Sequence, residues 1–525
     1  MKQKASFAPA EAAKMLLIFV LIVLMLVLLI LLVVGQNRAA EETLPQADRM
    51  VVYASGAQPL YDAGMDTARV TPYLIAYRVG GGTLSVLHAS DAPEKPYEAL
   101  YPLLRTLFGA GAYPTLLSRE TGAILWEACR AADDLIYIRY NGTLPAAVIR
   151  AYTYSEEDSE TVAAVLDAHV QGTAYARELF LIPGTLLSSY ADLLGFTPPC
   201  ASTDICALAM DGAGNASLFC AAADAAAPAV QSEDGTGDGA GTQDPDVQPY
   251  STDTPGALDA YIASMEALSS GAQKGAFSQT GVTEALLLDG IYRMPEIVLS
   301  ACDPQTALYA DREKLEAVLG MLGMTGNDTD SYYTDGTGAR IYLNSRGQLT
   351  VAAAGTTLRY EALQDGGLAL SDYLGYASIG GDYLLSEYLR AADRLLSGLE
   401  LLEGAFGGDA LTCTLIGVTA ASEDEQDTVV LTYGYTCRGI PLLDENGAIR
   451  RAMVVRAGDG VISHLELYPC HAVLAEEDTW LLPQTVARDA ILEERQNVPE
   501  GLFLAYPGDG DGVYTADWIG FLPVP

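Results

Sequence analysis

From Met15 to Val34 the chain reads MLLIFVLIVLMLVLLILLVV, twenty apolar residues without a charge, a proline or a glycine. Wound as a helix, such a run is about 30 Å long and matches the hydrocarbon thickness of a bilayer. In lipid a single span must satisfy its own backbone, which only a helix does. Lys2, Lys4 and Lys14 precede the run against Glu11 alone, while Glu41, Glu42 and Asp48 follow soon after Arg38. That lysine bias places the N-terminus in the cytoplasm and the bulk of the chain outside. The competing reading is a cleaved signal peptide with Ala39-Ala40 near the processing site. A signal core is usually roughly 7–15 residues, so the length favours a retained anchor. The expectation is a single-pass protein: a cytoplasmic stub at 1–14, a transmembrane helix at 15–34, and contact with membrane lipid through that helix.

Composition narrows what the exterior part does. The chain has 525 residues and a formal net charge of −39. That charge opposes phosphate neutralisation, so nucleic-acid binding is excluded, and anionic headgroups or wall polyanions are repelled. With 50% hydrophobic residues the chain is not wholly disordered. The stretch 221–256 differs: Ala, Gly, Asp, Pro, Ser and Thr dominate, with no Lys or Arg. It cannot bury enough surface to offset its ordering entropy and reads as a disordered acidic linker. The linker separates an N-terminal domain at 45–220 from modules at 257–405 and 406–525.

Periodicity within these parts predicts an α+β fold. Met50 to Tyr53, Asp134 to Tyr140 and Arg177 to Ile182 have strand patterns, the second ended by Asn141-Gly142. Leu100, Leu103, Leu104 and Leu107 give Tyr97 to Phe108 a helical period. Strands and helices do not alternate strictly, which argues for α+β. Beyond the linker one plan recurs, a helix followed by antiparallel strands. The first copy has a helix from Leu315 to Leu322, a strand from Arg340 to Leu343, a turn at Asn344 to Gly347 and strands ending near Tyr360. An amphipathic helix from Tyr383 to Gly404 comes next. It is followed by a hairpin, Leu411 to Ala420 and Thr428 to Cys437, about the acidic turn Ser422 to Asp427. The strands Ala452 to Arg456 and Ile462 to Tyr468 flank a turn at Gly458-Asp459-Gly460, and a helix runs from Pro483 to Arg495.

Chemical signatures are scarce. The eight cysteines (Cys129, Cys200, Cys206, Cys220, Cys302, Cys413, Cys437, Cys470) form no CxxC. Folding the hairpin about its acidic turn opposes Cys413 and Cys437, which leaves open a disulfide or two packed thiols; Cys200, Cys206 and Cys220 permit another pair. His88, His169, His464 and His471 supply no HExxH, and there is no GxSxG, no P-loop and no serine three residues before Lys95, Lys274 or Lys314. Gly508-Asp509-Gly510-Asp511-Gly512 with Asp517 could wrap a hard cation, but Val513 and Thr515 occupy the next ligand positions, so a Gly/Asp turn is preferred. No catalytic, cofactor-binding or metal-ligating residue is assigned.

Tyr433-Gly-Tyr-Thr-Cys-Arg-Gly-Ile-Pro-Leu442, Met453-Val-Val-Arg-Ala-Gly-Asp-Gly-Val-Ile462, and Leu481-Leu-Pro with Ala487 resemble the extracytoplasmic YycH/YycI proteins. Tyr332-Tyr-Thr-Asp-Gly336 through Ile341-Tyr342 to Gly355 and Tyr360, and the closing Tyr514 to Ile519, are similar to the YycH pattern. The resemblance is best over 290–525. It implies PepSY-like C-terminal modules and a membrane-anchored accessory regulator, not an enzyme. Its partners would be a two-component sensor histidine kinase governing cell-wall metabolism and a second YycH/YycI-type membrane protein. The alternatives are a cell-envelope enzyme or its inhibitor, and an exterior module binding a peptide or small molecule.

Overall fold

The computed structural model describes residues 51–53, 67–91, 93–109, 114–153, 174–194, 204–221, 257–269, 271–277, 286–288, 292–300, 311–324, 332–353, 355–363, 366–378, 383, 385–402, 406–423, 426–495, 501–508 and 512–521. The expected membrane helix, the expected linker beyond Ala221, and Asp509 to Asp511 lie outside these residues. Among the described residues no helix is long and apolar enough to cross a membrane.

The described residues form one compact α+β unit. Its first sheet is antiparallel throughout. In spatial order it runs Leu286–Leu288, Gln273–Phe277, Leu84–His88, Pro72–Arg78, Leu135–Pro145, Tyr175–Pro183, Ile205–Met210, Ala216–Ala221 and Thr115–Leu116. Residues 273–277 and 286–288 follow the expected linker in sequence, yet they extend the sheet that begins before it. Every position of Ile205–Met210 is buried. Successive side chains point to opposite faces, so both faces of the sheet are covered there. The helix Arg119–Ala131 covers part of one face. Ser118 caps it by accepting from the Thr121 amide, and its Trp126 packs edge-on to Phe180 at 4.5 Å.

The expected helix from Tyr97 to Phe108 is two helices, Glu94–Glu98 and Tyr101–Leu107. Pro102 causes the break: it has no N–H to donate back to the preceding turn, so a helix restarts with proline in its first turn. Leu100, Leu103, Leu104 and Leu107 are all fully buried.

The second sheet has the order Tyr333–Thr334, Arg340–Leu343, Gly347–Val351, Leu358–Ala362, Val461–Leu467, Arg451–Gly458, Gln426–Cys437 and Thr412–Glu423. Strands on both sides of residue 406 thus share one sheet. The helix Leu385–Glu400 packs on it, burying Leu385, Leu389, Ala392, Leu396 and Leu399 at helical spacing. Two-residue turns set the register at two places. Arg438 and Gly439 (φ 49° and 76°) join Cys437 to Ile440, and Asp459 and Gly460 (φ 48° and 75°) join Gly458 to Val461. Both have the positive φ angles of the turn whose twist suits a hairpin. A third sheet runs Phe406–Gly407, Cys470–Leu481, Tyr292–Ser300 and Val513–Tyr514. Among the described residues the first two sheets share one backbone pairing, Thr143 with Gly417 in parallel register.

Candidate functional site

The strand expected to stop at Asn141-Gly142 continues to Pro145. Asn-Gly usually marks a hairpin turn, but here it serves a close approach of two backbones. A Cβ on Gly142 would collide with the backbone of Ile416, so only glycine lets the two sheets come together. The ladder to Tyr175–Pro183 slips at the same place, between Arg139 and Leu144. Asn141 Nδ2 donates to the Gly439 carbonyl at 3.0 Å, tying the slipped segment to the tight turn of the second sheet.

A cavity of about 310 Å³ opens beside this junction. Its lining includes Arg139, Arg177, Tyr73, Phe503, Leu443 and Ile449. Tyr73 is positioned from two sides. It belongs to Pro72–Arg78, and its hydroxyl accepts from the Leu504 amide at 2.7 Å, which also fixes the neighbouring Phe503. The wall at 443–449 is a turn held by Asp444, whose Oδ1 accepts from the amides of Asn446 and Ala448 at 2.9 and 3.0 Å. A parallel bridge from Leu442 to Tyr506 seats that turn.

The charges in the cleft are unequal. Arg139 lies over the Tyr73 ring at 5.7 Å, and its Nε is 3.8 Å from Glu178. Arg177 makes no ion pair with any described residue. Burial, then the like charge of Arg139, lowers its pKa below the ordinary guanidinium value, with Glu178 opposing. A guanidinium in that position favours an incoming anion. Neither arginine stands in a motif that the sequence shows on its own. The available signal was Arg139 within the apolar run Leu-Ile-Tyr-Ile-Arg-Tyr, whose other residues are buried.

The residues singled out from sequence fall elsewhere. Cys413 does not face Cys437: the pairing of Glu423 with Gln426 at the turn is one residue off the expected register and the irregularity between Leu415 and Gly417 adds another, so Cys413 opposes Tyr435 while Cys437 pairs with Ile440. Both are buried free thiols. Burial, with Glu400 next, pushes the Cys413 thiol well above its ordinary pKa. Cys206 and Cys220 are direct cross-strand neighbours with sulfurs 3.6 Å apart. His88 is fully buried, its ring edge-on to Tyr73 at 4.5 Å. His464 Nε2 lies 3.3 Å from Glu466, on a strand distinct from that of His471. Among the described residues no cluster of His, Cys, Asp or Glu could hold a metal ion.

A polar cluster lies deeper. Asp393, with no exposed surface, accepts from Tyr152 Oη at 2.9 Å and from Tyr433 Oη at 2.8 Å. Nearby, Arg69 donates to Glu400 and to the Cys413 carbonyl. Burial alone would lower the Arg69 pKa. The Glu400 hydrogen bond and the carboxylates of Glu400 and Asp393 reverse that, so the guanidinium stays charged. The cluster, exposed only in part at Glu400, ties elements together. No family model, curated protein or solved structure matches the chain.

Proposed function

We propose that the chain is a membrane-anchored extracytoplasmic accessory regulator of a two-component sensor histidine kinase, working through protein contacts in the membrane and outside it. In this reading the helix from Met15 to Val34 crosses the membrane once with the N-terminus in the cytoplasm. The two helix-then-strand units, Arg312–Met321 with 333–362 and Leu385–Glu400 with 412–467, are PepSY-like modules. A protein whose folded bulk lies outside signals by biasing a partner that has a cytoplasmic effector.

The observation that supports protein contact is an apolar row across the third sheet. Val298 pairs with Val473 on one side and Val513 on the other; Val473 and Val513 are 40% and 41% exposed. Leu474, Trp480 and Leu482 are further exposed apolar residues along that strand and its end, Leu474 on the face opposite Val473. Adjacent exposed apolar side chains of this kind suit a partner's surface. Extraction of the full chain in mild detergent tests the reading. A polytopic kinase in the eluate, lost with Val473→Asp, supports it; an eluate without a kinase refutes it.

The cleft favours a second reading, an exterior module that binds a small molecule. It combines apolar walls with a few convergent polar groups, as ligand sites do.

A further inference from the structure

We propose that the junction cleft is a receptor site for a small organic anion, a carboxylate or phosphate on an apolar body, recognised by Arg177 and Arg139. The proposal rests on the second reading above and names its ligand class; it does not depend on a kinase partner. The cavity of about 310 Å³ is at the lower end of ligand-site volumes, so the occupant is small. Tyr73, Phe503, Leu443 and Ile449 offer it aromatic and aliphatic walls. Its head meets two guanidiniums, with Glu178 as the carboxylate near Arg139 and no ion pair to Arg177. A planar guanidinium matches carboxylate and phosphate oxygens in geometry as well as charge. The net charge of −39 does not close the cleft to anions. At physiological salt, fields from charges beyond about 8 Å are largely screened, so the local arginines dominate.

Placement adds a consequence. The lining draws on both sheets, Arg139 and Arg177 from the first and 441–449 from the second, at the point where Thr143 meets Gly417. An anion held there bridges the two sheets.

The test uses the full chain in neutral-lipid nanodiscs, with empty nanodiscs as the blank and fluorine NMR as the readout. The probes are 4-fluorobenzoate, 4-fluorophenyl phosphate and their neutral counterpart 4-fluorobenzyl alcohol. The expected result is saturable binding of at least one anion, about tenfold or more tighter than the alcohol, as a charge-assisted hydrogen bond implies. The carboxylate and phosphate arms identify the head group. Arg177→Met should weaken the anion by a similar factor and leave the alcohol unchanged. Equal binding of alcohol and anions overturns the proposal while the cleft remains a receptor; absence of any binding overturns both. Unchanged anion binding in a folded Arg177→Met variant also overturns it. If that variant fails to fold, the comparison of anion with alcohol in the unaltered chain still decides.

Discussion

Asp393 sits between two phenols from distant parts of the chain, Tyr152 and Tyr433, all three buried. A buried carboxyl that loses a donor keeps its desolvation cost, so Tyr152→Phe and Tyr433→Phe should each destabilise by about 1–3 kcal/mol. Because both act on one acceptor, the double variant should depart from additivity, which urea unfolding of the four species would reveal. His88 makes a pH prediction. Burial, with the positive charge of Arg139 adding to it, lowers its pKa from 6.5 to about 3. Between these values the unfolded chain binds the proton and the folded chain does not. Stability is therefore complete above the unfolded pKa and falls as pH drops toward the folded one. From pH 7 to 4.5 this residue should cost on the order of 2–3 kcal/mol. His88→Gln should remove that part of the slope; an identical slope in both proteins would refute the assignment.

At the level of elements, amphipathic helices and tight turns were legible, and junctions were not. The Leu385–Glu400 helix and the Gly458-Asp459-Gly460 turn follow from local patterns, because helical period and positive φ are properties of a few neighbouring residues. The hairpin was legible as a hairpin but not in its register. Pairing beside the turn, Glu423 with Gln426, is one residue off the expected register, and the irregularity near Ile416 adds a second residue of shift, so Cys413 lies away from Cys437. The irregular stretch itself touches Gly142, so that part of the shift and the strand continued past Asn-Gly meet at one place. Gly142→Ala should force the sheets apart there, at about 1–3 kcal/mol. It should also weaken any ligand bound at the junction. Thermal unfolding and the fluorine titration measure the two effects separately.

For the whole molecule, pairing across long sequence separations overrides composition as a guide to organisation. Gln273–Phe277 completes a ladder with Leu84–His88, although a stretch unsuited to any core lies between them in sequence. A protease site inserted within 222–256 and then cleaved should leave the two fragments bound, co-eluting in size exclusion and separating only on denaturing gels. Fragments that part without denaturant would show that this ladder is not what unites them. The membrane proposal has its own test. Replacing residues 15–34 with an unrelated span of equal length should weaken regulation of the kinase. Undiminished regulation would assign all coupling to the exterior surface.

By itself the sequence determined the α+β class, several of the helices and strands, and the apolar run from Met15 to Val34, because each is encoded in side-chain periodicity over a short window. Tertiary structure decided which strands became neighbours, where two sheets touch, and that Arg139 and Arg177 share a cavity with Phe503. Those outcomes depend on backbone groups meeting across hundreds of residues, and a local pattern carries no record of its distant partner.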